Sequence, residues 1–346
     1  MNCDIREWIE LVNTINLEEI NTNMNYLIVD KNSIVNNCNK IKKKLNKQER
    51  HLFLMVKSNL YGFGYELLQY IYDYIDGIVV KDSTIMKKIL VPNKKIIKLY
   101  DNKNIHGVLN CVMNYNNLNK KDSNVYIRVD PFLGMHGITY AQLKEINDLS
   151  SFDGVLIYIN EYLSPQEIII LKKIVKIVNQ NNLILNIGGS AFLEQTNYLN
   201  CRKTEVRLLR EILFNKNKQS SMYLKCNVLN KIYLNNKKIT IGFKSDRKIY
   251  NNGYLFLISI GYDDFKLLPQ LYKNDLKLQI FNKDYDIACY PCMNTMWIYS
   301  SKNDLKSDSL FLFDNNENIK YICERLDIDL DEFYSSYSLE ITRKYI

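Results

Sequence analysis

Short apolar segments alternate with amphipathic helical patterns over the first part of the chain. A strand is predicted over Tyr26–Asp30, and further apolar strands begin near residues 51, 77, 95, 105, 124, 154, 183 and 205. Between most of them lie helical patterns, at residues 65–75, 84–90, 141–149, 165–178 and 191–199. Eight strands in largely β-α order predict a closed (β/α)8 barrel of the TIM type, an α/β fold.

The helical period disappears after a polar linker at Asn215–Ser221. Short strands separated by turn residues follow, and one helix is predicted near Glu317–Leu326. This pattern predicts a second, mostly β domain. We therefore expect an N-terminal lead-in at residues 1–24 with a short helix from Asp4 to Val12, a barrel domain at 25–221 and a C-terminal β domain at 222–346.

Composition and charge narrow the class of protein. The 346 residues carry a formal charge of +8, but the lysines are scattered and form no basic helix, which argues against nucleic-acid binding. No apolar run is long enough to span a membrane, and the polar N-terminus does not resemble a signal peptide. Eight cysteines without such a signal indicate reduced thiols in the cytoplasm. The Cys289–Cys292 spacing lacks a second pair, so no metal site is predicted.

One stretch, Phe53–Gly64, combines an apolar strand with a lysine at its end and then turns through two glycines into a helix predicted to begin near Gly64. Parallel barrels place their active sites at the carboxyl ends of the strands. Burial there disfavours the charged form of an amine, and a neutral amine can form a Schiff base with a carbonyl. The alternative is that Lys57 only extends its ammonium group out of the sheet.

The segment V-K-S-N-L-Y-G-F-G, from Val56 to Gly64, resembles the V-K-A-N-A-Y-G-H-G motif of the alanine racemase family. The resemblance implies that Lys57 carries pyridoxal 5′-phosphate covalently and that Tyr61 contacts the cofactor phosphate. Phe63 departs from the family's histidine. Amino-acid decarboxylases and a single-domain cofactor carrier share the motif and the barrel, but the carrier lacks a second domain.

A second segment, F-L-I-S-I-G-Y-D-D-F, is similar to the family's P-I-G-Y-A-D-G. By this resemblance Tyr262 is a catalytic acid/base that reaches the active site of a partner subunit, which implies a homodimer. Racemisation removes the α proton on one face and returns another on the opposite face, so it needs two groups. Lys57 and Tyr262 are the expected pair.

Two further segments resemble the family's cofactor contacts. Val206-Arg207 matches the position that places an arginine against the pyridine nitrogen. Gly188-Gly189-Ser190 ends a strand and opens a predicted helix, and such a turn can hold a phosphate through backbone N–H groups. The resemblance assigns Ser190 to the cofactor phosphate.

The substrate-carboxylate region departs most from the family. Arg128 stands where the family has a lysine, and Met135 stands where it has the carboxylate-binding arginine. His136 is adjacent and is the candidate replacement, although an exposed loop histidine fits the sequence equally well. The resemblance also implies that Met293 lies at the substrate, whereas the family's following aspartate is Asn294.

The resulting hypothesis is a cytoplasmic, homodimeric, pyridoxal-phosphate-dependent racemase of a free amino acid, which need not be alanine. Lys57 and Tyr262 are the expected catalytic residues. Two alternatives remain open. One is a decarboxylase or lyase on the same scaffold, for whose catalytic cysteine the sequence has no matching motif. The other is a non-catalytic descendant that binds the cofactor.

Overall fold

The chain folds into two compact units. The barrel unit is Lys31–Lys216, and the β unit combines the residues up to Asp30 with those from Asn217 onward. The computed structural model describes residues 25–89, 93–101, 103, 105–118, 125–132, 136–159, 163–189, 199–214, 220–242 and 248–346. The predicted helix at Asp4–Val12 and the predicted lead-in lie outside the described residues.

After a first strand, β1 (Tyr26–Val29), eight parallel strands close into a barrel. These are β2 (Arg50–Val56), β3 (Gly77–Val80), β4 (Lys95–Lys98), β5 (Val108–Val112), β6 (Val125–Arg128), β7 (Gly154–Tyr158), β8 (Ile184–Gly188) and β9 (Thr204–Leu208). Strand β2 pairs with both β3 and β9, which closes the cylinder. The predicted (β/α)8 barrel is thus confirmed, with strands near the eight predicted positions.

Apolar side chains from successive strands fill the centre of the barrel. Phe53, Val79, Ile97, Tyr126 and Leu156 form one buried cluster although they come from five strands. Because most of the strands are buried on both faces, they appear in the sequence as nearly continuous apolar runs, as strands of parallel sheets usually do. The chain therefore specifies the barrel through burial rather than through alternation.

Several described helices of the barrel unit are shorter than their sequence patterns predict. They are α1 (Lys31–Asn46), α2 (Leu68–Ile71), α3 (Ser83–Met86), α4 (Tyr140–Glu145), α5 (Pro165–Gln180) and α6 (Arg210–Leu213). Helix α5 matches its prediction, since Ser164 and Glu167 form a capping box before it. The predicted helix at 65–75 is wrong as a single element: 3₁₀ turns flank α2. The helix predicted at 191–199 lies almost entirely outside the described residues.

The β unit is mostly sheet, as predicted. Its strands are β10 (Met222–Tyr233), β11 (Ile239–Ile241), β12 (Lys248–Tyr250), β13 (Tyr254–Ile258), β14 (Leu278–Ile280), β15 (Lys283–Ile287), β16 (Met296–Ser300), β17 (Ser309–Leu312) and β18 (Thr342–Tyr345). The main sheet has the order β14-β15-β16-β13-β10-β1-β18, and β17 also pairs with β10. Three helices accompany it: α7 (Leu268–Lys273), α8 (Asn316–Leu326) and α9 (Leu330–Ser335).

Strand β1 belongs to the sheet of the β unit, although it falls within the predicted barrel domain at 25–221. It pairs antiparallel with β10 and parallel with β18. A closed barrel has no free strand edge, so a ninth strand finds no backbone partner there. The β unit is therefore built from both ends of the chain.

Two general expectations concern the cysteines and the membrane. The seven described cysteines are free thiols, and Cys289 is buried whereas Cys292 is partly exposed. Cys292 belongs to a tight turn in which its N–H donates to Thr295 O at 2.9 Å. In the part of the chain that the structure describes, no helix is both long and apolar enough to cross a bilayer.

Candidate active site

Lys57 directly follows β2 at the carboxyl end of the barrel. Its backbone is extended, with φ −147° and ψ 161°, and the side chain is partly buried. The Nζ atom lies 5.2 Å from the ring centroid of Tyr61. Because all eight strands are parallel, this amine lies at the same end of the barrel as the last residues of the other strands.

The backbone reverses immediately after Lys57 through a left-handed turn, Ser58–Tyr61. All four residues have φ between 49° and 52°. Each costs about 1–2 kcal/mol in this conformation, because Cβ approaches the carbonyl oxygen. The turn is held by Leu60 N donating to Lys57 O at 2.8 Å and by Tyr65 N donating to Asn59 Oδ1 at 3.1 Å. Strain of this kind is concentrated at functional sites.

The turn directs two aromatic rings into the barrel unit. Tyr61 is 8% exposed and stacks on Phe214, with ring centroids 6.0 Å apart. Phe63 is fully buried and lies 6.1 Å from the same ring. Phe63, which departs from the resembled motif, is therefore a core residue packed beneath the turn.

Arg207 carries a buried guanidinium near the carboxyl end of β9, the strand paired with β2. Its Nη1 donates to Asn186 Oδ1 at 2.5 Å, and its Nη2 donates to Ile157 O at 3.1 Å. Burial, and then the nearby charge of Arg128, lower the pKa of Arg207 to about 10. The group therefore remains protonated at neutral pH.

Gly188 makes room for that guanidinium on the neighbouring strand. A Cβ atom at this position would lie 2.4 Å from Arg207 Nη2, a distance that real Cβ contacts do not reach. Gly189 follows and ends the described segment, so Ser190, the predicted phosphate contact, lies outside the described residues. The sequence pattern of two glycines is thus explained in part by Arg207.

A polar network inside the barrel supports Arg207 from below. Asn186 accepts from Arg207 and donates its Nδ2 to Glu205 Oε2 at 3.0 Å. Glu205 also accepts from Tyr126 Oη at 3.0 Å and from Lys95 Nζ at 2.7 Å. Burial and the adjacent Glu205 carboxylate raise the pKa of the Tyr126 phenol. Sequence reasoning missed this network; its only signal is that Glu205 and Arg207 alternate on an otherwise apolar strand.

Arg128 is the last residue of β6 and is 9% exposed. Its Nη1 donates to Tyr100 Oη at 3.2 Å. The exposed His136 also contacts Tyr100, since the two rings lie edge-on with centroids 6.3 Å apart. The structure thus brings the predicted His136 close to Arg128 through one tyrosine, whereas Met135 lies outside the described residues.

The remaining two predicted residues come together in the β unit. Tyr262, 37% exposed, donates its backbone N–H to Cys292 O at 3.0 Å, and Asp263 N donates to Met293 O at 3.0 Å. A Cβ at Gly261 would lie 2.0 Å from Met293 O, so the close approach of the two loops requires glycine. Met293 itself is 53% exposed.

The acidic residue of the same turn fixes its shape. Asp264 Oδ2 accepts from Gly261 N at 3.0 Å, and Asp264 N donates to Gly261 O at 3.1 Å. Burial raises the pKa of the Asp264 carboxyl, although the N–H of Gly261 opposes the shift. Tyr262 therefore projects from a rigid turn rather than from a loose loop.

Comparisons with known proteins give matches in structure but none to a family model or a curated sequence. No family model and no curated protein matches the chain. Solved structures match it over nearly its whole length. The alanine racemase from Bacillus anthracis with bound L-Ala-P has a TM-score of 0.75 and 15% identity, over 94% of this chain and 95% of that one. The alanine racemase from Bartonella henselae with covalently bound pyridoxal phosphate has a TM-score of 0.74 and 16% identity, over 93% and 99%.

A third structure, the alanine racemase from E. faecalis, has a TM-score of 0.74 and 16% identity, and covers 94% of this chain and 99% of that one. Identities this low establish the architecture alone. The chain has the alanine racemase fold: a closed eight-stranded parallel barrel together with a mostly β second unit.

Proposed function

We propose that the protein binds pyridoxal 5′-phosphate through Lys57 and racemises a free amino acid. The observation that carries this proposal is the pairing of β2 and β9. It places Lys57 and the buried Arg207 at the same end of two neighbouring strands. The fold of the alanine racemases, one of which holds pyridoxal phosphate covalently, supports it.

The residues present fit this cofactor chemically. An amine for covalent attachment, a buried cation and a glycine that makes room for that cation lie at one end of the barrel. In the proposal, Lys57 would hold the cofactor covalently and Arg207 would contact its ring nitrogen. Tyr61 and Ser190 hold the phosphate. The bound cofactor would supply an electron sink that acidifies the α hydrogen of an attached amino acid.

Arg207 has a specific task in this arrangement. With a pKa of about 10 it keeps its proton at neutral pH, so it donates a hydrogen bond without transferring the proton. Asn186 and the carbonyl of Ile157 fix two of its nitrogens. Such a preorganised donor limits side reactions by controlling charge on the atom that it contacts.

Lys57 and Tyr262 are the proposed proton carriers. One removes the α proton of the substrate and the other returns a proton on the opposite face. In the proposal the phenol belongs to Tyr262 of the partner subunit, so the enzyme is a homodimer. Its rigid turn, fixed through Gly261 and Met293, suits a group that must act at a distance set by another chain. The free thiols are consistent with a cytoplasmic protein.

Solvent exchange tests this function directly. Purified protein reconstituted with pyridoxal phosphate is incubated in heavy water with a panel of single amino acids, and deuterium at the α carbon is read by NMR. We expect incorporation together with appearance of the opposite enantiomer for at least one amino acid. Lys57→Ala should abolish exchange of both enantiomers. Tyr262→Phe should lower it by about a hundredfold, the typical contribution of one general acid or base.

The same assay separates the alternatives. Release of carbon dioxide without enantiomer exchange would instead support a decarboxylase. Cofactor binding without exchange of any amino acid would support a non-catalytic cofactor-binding protein. Exchange that persists in both variants would contradict the two-base assignment.

A further inference from the structure

The carboxylate of Glu205 is buried inside the barrel and takes no part in the proposed reaction. It lies on β9 two residues before Arg207, and side chains at positions i and i+2 of a strand project from the same face. Burying a charge is costly unless other groups compensate it. A carboxylate kept on the same face as the buried guanidinium therefore calls for an explanation.

The hydrogen bonds that hold Glu205 can run in one direction only. An ammonium group has only donors, and a carboxylate has only acceptors. Lys95 Nζ donates to Tyr126 Oη at 2.7 Å and to Glu205 Oε1 at 2.7 Å. Tyr126 in turn donates to Glu205 Oε2 at 3.0 Å. Both oxygens of the carboxylate are thus held, which fixes its position in the barrel.

The amide of Asn186 connects this carboxylate to Arg207. Asn186 is fully buried on β8. Its Nδ2 donates to Glu205 Oε2 at 3.0 Å, and its Oδ1 accepts from Arg207 Nη1 at 2.5 Å. In the flipped orientation the amide oxygen would face the carboxylate and the NH₂ group would face the guanidinium, so both hydrogen bonds would be lost. Glu205 therefore holds the Oδ1 atom of Asn186 towards Arg207.

Glu205 also acts on Arg207 through its charge. Burial lowers the pKa of Arg207 and the nearby Arg128 guanidinium lowers it further, whereas the Glu205 carboxylate raises it. The hydrogen bonds that Arg207 donates to Asn186 Oδ1 and to Ile157 O both go to neutral oxygens. Glu205 therefore contributes negative charge to this guanidinium across one intervening amide.

We propose that Glu205 is a positioning residue of the active site, which holds Arg207 in place through the amide of Asn186. The proposal rests on the proposed function in one respect, namely that Arg207 is the group that contacts the ring nitrogen of the cofactor. Glu205 itself touches neither cofactor nor substrate in this arrangement, because Asn186 lies between it and Arg207. Removing Glu205 should therefore loosen Arg207 and weaken cofactor binding even in a stable protein.

A double variant separates positioning from stability. Glu205→Met removes the carboxylate at similar side-chain length, and Lys95→Met in the same chain removes the ammonium group that would otherwise be stranded. Replacing both partners of a buried ion pair by apolar residues is often neutral for stability, but here it leaves Asn186 Nδ2 without its acceptor. A purely structural role would be restored in the double variant, whereas a positioning role would stay lost.

The mobility of Arg207 is measured without cofactor, by NMR of protein labelled with ¹⁵N at the arginine guanidinium groups. The signal of Arg207 is assigned from Arg207→Lys. Rotation about its Cζ–Nε bond should be slow in the wild-type protein, because acceptors hold both Nη atoms. In the double variant we expect this rotation to be about threefold to tenfold faster, the effect of losing about one hydrogen bond. The dissociation constant of pyridoxal 5′-phosphate, from an absorbance titration, should rise by a similar factor.

Two further variants complete the comparison. Glu145→Gln removes an exposed carboxylate from α4 and is the matched control, which should change neither quantity. Should the double variant fail to fold, Glu205→Gln gives the same test. In that variant the ammonium of Lys95 competes for the single oxygen, which turns the NH₂ group towards Asn186.

Unchanged rotation of Arg207 in the folded double variant would overturn the proposal. Faster rotation with unchanged affinity for pyridoxal phosphate would also overturn it, since Glu205 would then have no effect on the cofactor site. Failure of the proposed function gives a different result. A wild-type protein that binds no pyridoxal phosphate would contradict the cofactor assignment, while the rotation measured without cofactor would still report whether Glu205 holds Arg207.

Discussion

The buried carboxylate of Glu205 gives the sharpest stability prediction. It accepts hydrogen bonds from Lys95, Tyr126 and Asn186, and its side chain is 4% exposed. Glu205→Gln keeps the shape but leaves one oxygen and one NH₂ group. The NH₂ group of the glutamine must then face either the ammonium of Lys95 or the donor groups of Tyr126 and Asn186. Removing one partner of a buried ion pair lowers the free energy of unfolding by about 3–5 kcal/mol.

We take about 3 kcal/mol, because the Lys95 side chain is 29% exposed and water can solvate part of its charge. For a unit of 150–250 residues each kcal/mol lowers the melting temperature by about 2–4 °C. Glu205→Gln should therefore lower the melting temperature of the barrel unit by about 6–12 °C. Far-UV circular dichroism during thermal and urea unfolding measures it.

Two controls sharpen this experiment. Glu145→Gln, at an exposed position on α4, should change the free energy of unfolding by less than about 0.5 kcal/mol. Adding Lys95→Met to Glu205→Gln should recover more than about 1 kcal/mol, since the stranded ammonium is removed. A loss below about 1 kcal/mol in Glu205→Gln, or simple additivity in the double variant, would refute the reasoning that this network is a buried ion pair.

Three other predictions concern the strained turn, Arg207 and the thiols. Ser58→Gly should stabilise the protein by about 0.5–1 kcal/mol in urea unfolding, because an exposed residue at φ 49° loses its left-handed strain. Gly188→Ala should weaken pyridoxal-phosphate binding about tenfold in an absorbance titration, because its methyl group displaces Arg207. Burial raises the pKa of Cys38 to about 12, so iodoacetamide at pH 8 should modify the partly exposed Cys201 before Cys38, as read by peptide mass spectrometry.

Local patterns predicted the strands of the barrel better than its helices. Most of these strands are short runs of apolar residues buried on both faces, so their positions depend mainly on nearby sequence. The capped helix α5 was likewise predictable from Ser164 and Pro165. In contrast, β1 pairs with β10 and β18, which are far away in sequence. The four residues of β1 alone do not indicate which strands they pair with.

The candidate site likewise combines residues that the sequence predicted with contacts that it could not predict. Lys57 was identified because its segment resembles a known motif. The left-handed turn Ser58–Tyr61 was not predicted, because none of its four residues is a glycine. The support of Arg207 was hidden, because Lys95 and Glu205 are separated by 110 positions. Arg128 was noticed as a departure from the family pattern. Its contact with Tyr100 could not be predicted from the sequence, because it depends on the barrel placing the carboxyl ends of β4 and β6 at the same end.

The most direct test of the account is chemical trapping at Lys57. The protein is incubated with pyridoxal 5′-phosphate, reduced with borohydride, digested and analysed by mass spectrometry, with Lys81 in the same digest as an internal exposed-lysine control. The account predicts a phosphopyridoxyl group on Lys57 at near-stoichiometric level and none on Lys81. A label spread over surface lysines, with Lys57 unmodified, would contradict it.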